Sequence, residues 1–327
     1  MLSNNIKTPV IALAIGGEFA GKSQTGCVFL QNKDAFKLND NNDETNHETI
    51  VQCNIIDGIK RYYIDTGAIY CLRYLINESI FKIVGFLKEW KIGFNALFIV
   101  DNYQNDRFLF GLEKAISVIN QLFNGQNLWN QTAVIKTRYF FERKDHEIRE
   151  LKTREKIIST IQKSSETANE INPQIPFFYV ENSEIDERTK NEYQKIFEFA
   201  SKNEPIQTYQ RFDIYNDDFI VAKSNVRNEN YDMLVLCRSS IKVAKIPSFI
   251  KRICSYAFAN CGELQIVFSN DTQLQSIGSN AFFDDSISCI NLPPFVTHLY
   301  ENSFLGCRKL HLLEQDPIAK NDKIDGK

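Results

Sequence analysis

Apolar residues in the first two thirds of the chain follow two different periods. Short, nearly continuous apolar runs of strand length occur at 10–15, 96–100, 132–137 and 176–182, and a further run ends at Ile64-Asp65. In 111–123 and in 188–200 apolar residues instead recur every three or four positions, which places them on one face of a helix. Buried strands that alternate with amphipathic helices predict an α/β domain of the doubly wound type, with a mostly parallel sheet.

The last third of the chain is built on a different repeat. Residues 243–265 and 289–311 align without gaps, and the segment between them has the same apolar offsets, so the unit is about 23 residues. The coinciding pairs are Pro247 with Pro293, Phe258 with Phe304, Cys261 with Cys307, and Leu264 with Leu310. A period of this length with Leu, Ile and Phe at fixed offsets is typical of a leucine-rich-repeat solenoid. We expect about three repeats, with the phenylalanines and cysteines in its core.

These two patterns predict an N-terminal domain over 8–202, a connector over 203–229 and a short solenoid over 230–318. The connector is polar but keeps four aromatic residues, so we expect it to pack between the domains and not to act as a free tether. Three repeats are close to the minimum for a stable solenoid. The repeats are therefore expected to pack against another part of the protein.

Composition excludes several classes of function. The 327 residues are 43% hydrophobic, which is enough for two cores. With 38 Lys and Arg against 41 Asp and Glu, the net charge of −3 gives no basic excess for binding nucleic acid. The apolar run near the start is too short for a membrane span, so we predict a cytoplasmic protein with no transmembrane segment.

Cysteine and histidine spacing indicates no metal or catalytic motif. The eight cysteines include no C-x-x-C pair, and none of the four histidines stands near a Ser or Cys in a recognisable catalytic motif. The cysteines are expected to be free thiols, mostly buried as small apolar residues.

The segment after the first strand carries the candidate chemistry. The phosphate-loop pattern G-x-x-x-x-G-K-[ST] is matched by Gly16, Gly17, Glu18, Phe19, Ala20, Gly21, Lys22 and Ser23. In such loops backbone N–H groups surround phosphate oxygens, the lysine reaches the β and γ phosphates, and the hydroxyl holds Mg²⁺. We therefore predict a P-loop NTPase domain that binds a nucleotide. The alternative is a strand-to-helix turn of the same origin that no longer holds a ligand.

The N-terminal domain resembles the immunity-associated GTP-binding proteins, the GIMAP or avirulence-induced-gene type, over about residues 8–202. The resemblance rests on "GGEFAGKSQTGCVFLQNKDAF", on "TIVQCN" before a strand, on "YIDTG", and on the order of elements through "FYVENS". It implies GTP or another purine nucleotide as ligand and Mg²⁺ as cofactor. Hydrolysis is expected to be slow at most, because no residue in the sequence is an evident water-positioning group. The resemblance also leaves nucleotide-dependent homo-oligomerisation open as an alternative to a monomer.

This resemblance also implies site residues outside the loop. To Ser23, which the loop motif already assigns to Mg²⁺, the resemblance adds Asp65 and Thr49 as residues for Mg²⁺ and Asn182 as a residue for the base. A strand-end cap is the alternative for Asp65, and an ordinary surface residue is the alternative for Asn182. The polar stretch 39–49, in which Thr49 lies, is predicted to be a switch loop.

Two departures from the family pattern concern the γ phosphate and the base. The family's D-x-x-G spacing ends on Ala68 here, because the glycine stands one place earlier, at Gly67. The base-reading segment is Thr137-Arg138-Tyr139-Phe140-Phe141, in which no carboxylate is placed to accept the guanine N1–H. Its aromatic rings are predicted to stack on any base.

The repeat units, with the order I-P-x-x-[IV], A-F, C and L, resemble BspA-like leucine-rich repeats over about 230–312. This implies an unidentified protein partner. Two functions stay open: a nucleotide-binding switch or scaffold with a protein-interaction module, and a pseudo-GTPase that acts only through the repeats. Lys22 and Ser23 favour the first function, whereas the two departures favour the second. The charged stretch 143–163 is predicted to be a solvated helix, with a partner-binding face as the alternative.

Overall fold

The computed structural model of the chain describes residues 7–36, 49–69, 75–103, 110–123, 128–139, 146–164, 174–181, 186–207, 209–225, 227–283, 285–287 and 290–310. Its N-terminal sheet has six strands in the order β2-β3-β1-β4-β5-β6, of which β2 is antiparallel to β3 and the others pair in parallel. These strands are β1 (Lys7–Gly16), β2 (Ile50–Ile56), β3 (Ile59–Asp65), β4 (Ala96–Asn102), β5 (Thr132–Thr137) and β6 (Phe177–Tyr179).

Five helices accompany this sheet in the described residues. They are α1 (Lys22–Phe29), α2 (Leu75–Trp90), α3 (Phe110–Phe123), α4 (His146–Ser164) and α5 (Glu187–Ser201), with a 3-10 turn at Trp129–Gln131. The predicted helices over 111–123, 143–163 and 188–200 correspond to α3, α4 and α5. Two elements had not been predicted: α2, and β2, which is formed by the "IVQCN" segment itself.

Both faces of the N-terminal sheet are covered, as the α/β prediction requires. Alternate residues of β1 point to opposite faces: Ala12 and Ala14 pack with α1 and α5, whereas Leu13 and Ile15 pack with α2 and α3. The predicted fold class, a doubly wound and mostly parallel α/β sheet, is therefore confirmed.

The C-terminal part is a solenoid with one strand per repeat. Strands β9 (Met233–Cys237), β11 (Arg252–Ile253), β13 (Ser276–Ile277) and β14 (His298–Leu299) pair in parallel. A second ladder pairs β10 (Val243–Ile246) with β12 (Gln265–Phe268). The hairpin of β7 (Phe212–Tyr215) and β8 (Phe219–Ala222) extends the first sheet to the order β14-β13-β11-β9-β8-β7. Residues 203–229 therefore supply two strands to the repeat sheet.

A ladder of phenylalanines runs along the solenoid core. The rings of Phe258 and Phe282 stack with centroids 5.0 Å apart, and those of Phe282 and Phe304 with centroids 5.1 Å apart. Phe258 and Phe282 are fully buried, but Phe304, in the outermost described repeat, is only partly buried. The equal burial that the 46-residue correspondence suggested for Phe258 and Phe304 is therefore wrong for Phe304.

The repeats and the N-terminal domain share one hydrophobic core. Residues of β7, β8 and β9, together with Cys254 immediately after β11, belong to the same buried cluster as residues of α2 and α3. On α3, Lys114 is fully buried and its Nζ donates to the carbonyl of Ala259 at 2.7 Å. Gln121, also on α3, bonds both the N–H and the carbonyl of Ser255. The solenoid thus packs against α2 and α3.

Burial of Lys114 makes a pH-dependent contribution to stability. Desolvation lowers the pKa of this lysine from 10.5 to about 8. Between these two values the unfolded chain binds more protons than the folded one, so this group's contribution to stability rises with pH, by on the order of 3 kcal/mol in full.

We expect Lys114→Met to remove this pH dependence. The free energy of unfolding, measured in urea between pH 7 and pH 10, should rise more steeply with pH for the wild type than for the variant. Parallel pH profiles for the two proteins would contradict this prediction. The comparison cancels contributions from groups that both proteins share, and it is insensitive to a constant loss from leaving the Ala259 carbonyl unbonded.

In the described residues no helix combines the length and the apolar character needed to cross a bilayer. The described cysteines are free thiols, and four of the six are buried. No cluster of metal-binding side chains of the His, Cys, Asp and Glu type occurs in that same part of the chain.

Candidate functional site

Two glycines allow the backbone conformation of the loop between β1 and α1. A Cβ atom on Gly16 would lie 2.3 Å from the carbonyl oxygen of Val100 in β4. Gly21, immediately before α1, has φ 92°, in the left-handed region that glycine adopts without strain. Phe19 also has a positive φ of 57°, and its side chain is 76% exposed. The loop is therefore held close to the sheet at Gly16 and turns sharply into the helix at Gly21.

Lys22 lies over this loop. Its side chain is buried, and Nζ donates to the carbonyl oxygens of Gly17 at 2.9 Å and Gly16 at 3.4 Å. Helix α1 starts at Lys22 without a side-chain cap and without an acidic residue in its first turn. The ammonium group and the N-terminal end of the helix dipole thus give this part of the molecule a positive potential that favours an anion.

Ser23 and Asp65 meet beside Lys22. The Ser23 hydroxyl donates to Asp65 Oδ2 at 2.5 Å, and Asp65 Oδ1 is buried without a hydrogen-bond partner in the described structure. Burial raises the pKa of Asp65, an effect opposed by the charge of Lys22 and by the Ser23 hydrogen bond. A buried carboxylate oxygen without a donor, next to a hydroxyl, matches the oxygen ligands that Mg²⁺ takes. These residues therefore fit the cation.

Of the two other predicted site residues, Thr49 lies within the described residues and Asn182 does not. Ile50 pairs with Asp65 across the β2–β3 ladder, so its neighbour Thr49 lies at the same end of the sheet as Asp65. No hydrogen bond of Thr49 to Ser23 or Asp65 occurs among the described residues, and its role as a magnesium ligand stays a prediction. Asn182 lies outside the described residues, as do residues 39–48 of the predicted switch loop.

The segment after Asp65 is tied to the phosphate loop and to α2. Thr66 Oγ1 donates to the Ala14 carbonyl at 2.8 Å, and the Ile69 N–H donates to the Gly16 carbonyl at 3.0 Å. Ser79 Oγ, in the second turn of α2, donates to the Ala68 carbonyl at 3.1 Å. Ala68, on which the D-x-x-G spacing ends, therefore contacts α2 directly.

The segment after β5 supports the loop but is not an open stacking surface. Thr137 Oγ1 donates to the carbonyl of Ala20 at 2.6 Å, which fixes the phosphate loop from the side of β5. Tyr139 is 5% exposed, and its ring packs edge-on against Tyr103 with centroids 4.9 Å apart. The expectation that its ring stacks freely on a base is therefore wrong. Phe140 and Phe141 lie outside the described residues.

Glu181 is a carboxylate at this end of the sheet that the sequence reasoning did not name. The preceding residue, Val180, donates to the Lys136 carbonyl and accepts from the Tyr139 N–H, so Glu181 lies next to the β5 segment. The available signal was its place in "VENS", directly before Asn182.

Comparison with known proteins separates the two parts of the chain. Residues 232–316 match the family described as BspA type leucine rich repeat region, in six copies. The solenoid has four parallel rungs among the described residues, β9, β11, β13 and β14, against about three repeats expected from the sequence. No curated protein sequence matches the chain.

Solved structures similar to the chain include that of the chloroplast translocon components atToc33 and psToc159, for whose GTPase activity dimerization is important. It is 21% identical, covers 62% of this chain and 87% of that chain, and has a TM-score of 0.50. Toc33 from Arabidopsis thaliana in complex with GDP and Mg²⁺ is 20% identical over 62% of this chain and 88% of that chain, with a TM-score of 0.48. Translation elongation factor SelB from Methanococcus maripaludis is 10% identical over 66% of this chain and 40% of that chain, with a TM-score of 0.40. The N-terminal part of the chain thus has the fold of P-loop GTPases, and its C-terminal part is a BspA-type leucine-rich-repeat region.

Proposed function

We propose that the chain binds a purine nucleotide with Mg²⁺ through Gly16–Ser23 and Asp65, and that it acts as a switch or scaffold whose repeats bind a protein partner. The observation that carries this proposal is the buried Asp65 Oδ1, which has no hydrogen-bond donor although Asp65 Oδ2 accepts from Ser23. A buried polar atom without a partner destabilises a fold by about 1–3 kcal/mol. A bound cation would offset that cost.

In this site Lys22 holds the β and γ phosphates, while the loop N–H groups and the start of α1 surround them. Ser23 and Asp65 hold Mg²⁺, with Thr49 as a further candidate ligand. When bound, Mg²⁺ supplies charge neutralisation on the phosphate oxygens. Thr137 keeps the loop in place through Ala20. Among the described residues we identify no side chain that positions an attacking water, so turnover is at most slow.

The second candidate function is a pseudo-GTPase that acts only through its repeats. It is favoured by Ala68 at the position of the family's glycine, and by the bonds of Lys22 Nζ to the loop carbonyls. Assignment to the immunity-associated branch, a cytoplasmic location and nucleotide-dependent homo-oligomerisation remain predictions.

Competition between nucleotides tests this function. We expect unlabelled GTP and ATP to displace a fluorescent purine nucleotide in Mg²⁺ with affinities within about tenfold of each other, ~1.4 kcal/mol, because the phosphates and Mg²⁺ provide most of the contacts. A wild-type protein that binds none of these nucleotides would establish the pseudo-GTPase instead.

A GTP preference of about a thousandfold would contradict weak base selection, because such a preference requires a carboxylate that pairs with the guanine edge. Glu181→Gln would then test whether Glu181 is that carboxylate. Its matched control is Glu187→Gln, which changes an exposed glutamate in the first turn of α5.

A further inference from the structure

The outer face of the repeat sheet is already covered within the chain. Ile220, Ala222, Met233 and Val235 point away from the solenoid core and are buried against α2 and α3. Solenoids commonly bind their partners on an extended sheet face. In this chain the first three strands of that face are occupied by two helices of the N-terminal domain.

The N-terminal end of α2 makes the polar part of this contact. Asn77 is fully buried and its Nδ2 donates to the Cys237 carbonyl at 2.6 Å. Glu78 pairs with Arg238 at 2.5 Å and accepts a hydrogen bond from Ser239. These bonds fix α2 to the end of β9. The guanidinium of Arg238 adds a further contact with α2, since it lies 4.3 Å from the centroid of the Phe81 ring.

The same end of α2 is connected to the phosphate loop. Ser79, adjacent to Asn77 and Glu78, bonds the Ala68 carbonyl, and Ile69 bonds the Gly16 carbonyl. Two short segments, Ala68–Ile69 and Asn77–Ser79, therefore lie between the loop and the repeats. Ala68 is hydrogen-bonded to Ser79, the immediate neighbour of Glu78, which pairs with Arg238.

Helix α3 holds the repeats at a second place. Lys114 and Gln121 bond the backbone of Ala259 and Ser255, in the turn that follows β11. These contacts involve neither the phosphate loop nor the segment after Asp65, so they hold the repeats independently of the N-terminal end of α2.

We infer that the repeat region responds to the nucleotide state of the N-terminal domain through the contact of Asn77 and Glu78 with Cys237, Arg238 and Ser239. This inference rests on the proposed nucleotide binding. Coupling between two sites is reciprocal, so a change in this contact alters the relative affinity for the diphosphate and triphosphate forms. The repeats are thus a regulatory element of the nucleotide site as well as a partner-binding module.

A charge swap in the full chain tests this inference. The dissociation constants of fluorescent GDP and of a fluorescent non-hydrolysable GTP analogue are measured in Mg²⁺ for the wild type, Glu78→Arg, Arg238→Glu and the double variant. We expect each single variant to change the ratio of the two constants by about fivefold or more, and the double variant to bring it back toward the wild-type value.

The matched control is the ion pair between Lys88 and Asp213, which joins the other end of α2 to β7 at 3.1 Å. Lys88→Glu and Asp213→Lys should leave the ratio within about twofold, since a surface pair of this kind contributes little and lies far along α2 from Ser79. Ratios within twofold for the Glu78 and Arg238 variants, with nucleotide still bound, overturn the inference and leave the proposed function intact. A wild type that binds no nucleotide overturns both.

Hydrogen exchange on the wild type covers the case in which a variant fails to fold. Addition of the Mg²⁺ complex of the GTP analogue, compared with GDP, should change the exchange of the backbone amides in both 75–81 and 233–239. A change confined to the N-terminal domain, with none in 233–239, overturns the inference.

Discussion

Lys22→Ala is expected to weaken the binding of Mg²⁺-nucleotides by at least about a hundredfold, ~2.7 kcal/mol, because it removes a charged donor from the phosphates. The ammonium group bonds the carbonyl oxygens of Gly16 and Gly17 in the loop, so the fold should persist without it. Equilibrium titration with a fluorescent GTP or GDP measures the loss, and the melting temperature checks the fold.

Two further variants sharpen this test. Lys22→Met keeps the buried aliphatic stem and should lose binding to a similar degree. Lys33→Ala removes an exposed lysine in the turn after α1 and should bind like the wild type. Equal affinity of Lys22→Ala and the wild type would show that the nucleotide, if bound, lies elsewhere.

Phe258→Ala is expected to destabilise the protein by ~3–5 kcal/mol, because it removes a fully buried ring from the solenoid core and leaves a cavity. Phe258 packs between Phe219 of β8 and Phe282, so the loss affects both the hairpin and the next repeat. Urea denaturation measures the change in the free energy of unfolding.

Phe304→Ala is the matched control for this effect. Phe304 stacks on Phe282 at the outer end of the ladder and is only partly buried, so its replacement should cost clearly less than that of Phe258. An unchanged stability of Phe258→Ala would contradict the stacked core, and equal losses at the two positions would contradict the unequal burial.

The regular elements could be predicted from sequence where each is buried on one side or lies wholly inside the sheet. Helix α3 showed its apolar face, and β4 and β5 showed continuous apolar runs. Helix α2 carries the same signal, since its buried residues Ile76, Ile80, Ile83, Val84 and Leu87 recur at helical spacing, but it was not predicted. What the spacing could not show is that its polar residues Asn77 and Ser79 are buried as well.

The contacts between the two domains left no signal in the sequence. Lys114 looks like an ordinary charged residue of an amphipathic helix, yet it is buried because its partner is a carbonyl 145 residues away. Gln121 is similar, with a partner 134 residues away. A backbone acceptor can be supplied by any residue type, so no pattern of side chains indicates such a bond.

The candidate site was predictable to the extent that its residues are local. Gly16 to Ser23 form one continuous motif, whereas the approach of Asp65 to Ser23 was inferred only through the family resemblance. The burial of Tyr139 was missed because it depends on Tyr103, directly after β4, and on Tyr179 of β6, which are distant in the sequence.

We propose that Ser23 and Asp65 hold a cation that belongs to a bound nucleotide. Calorimetric titration of the wild-type protein with GDP and with GTP, each in Mg²⁺ and again in excess chelator, tests it most directly. We predict saturable binding in Mg²⁺ that is weakened by about tenfold or more when Mg²⁺ is removed, since the buried Asp65 carboxylate would then repel the phosphates. Absence of binding, or binding equally tight with and without Mg²⁺, would contradict a cation site at Ser23 and Asp65.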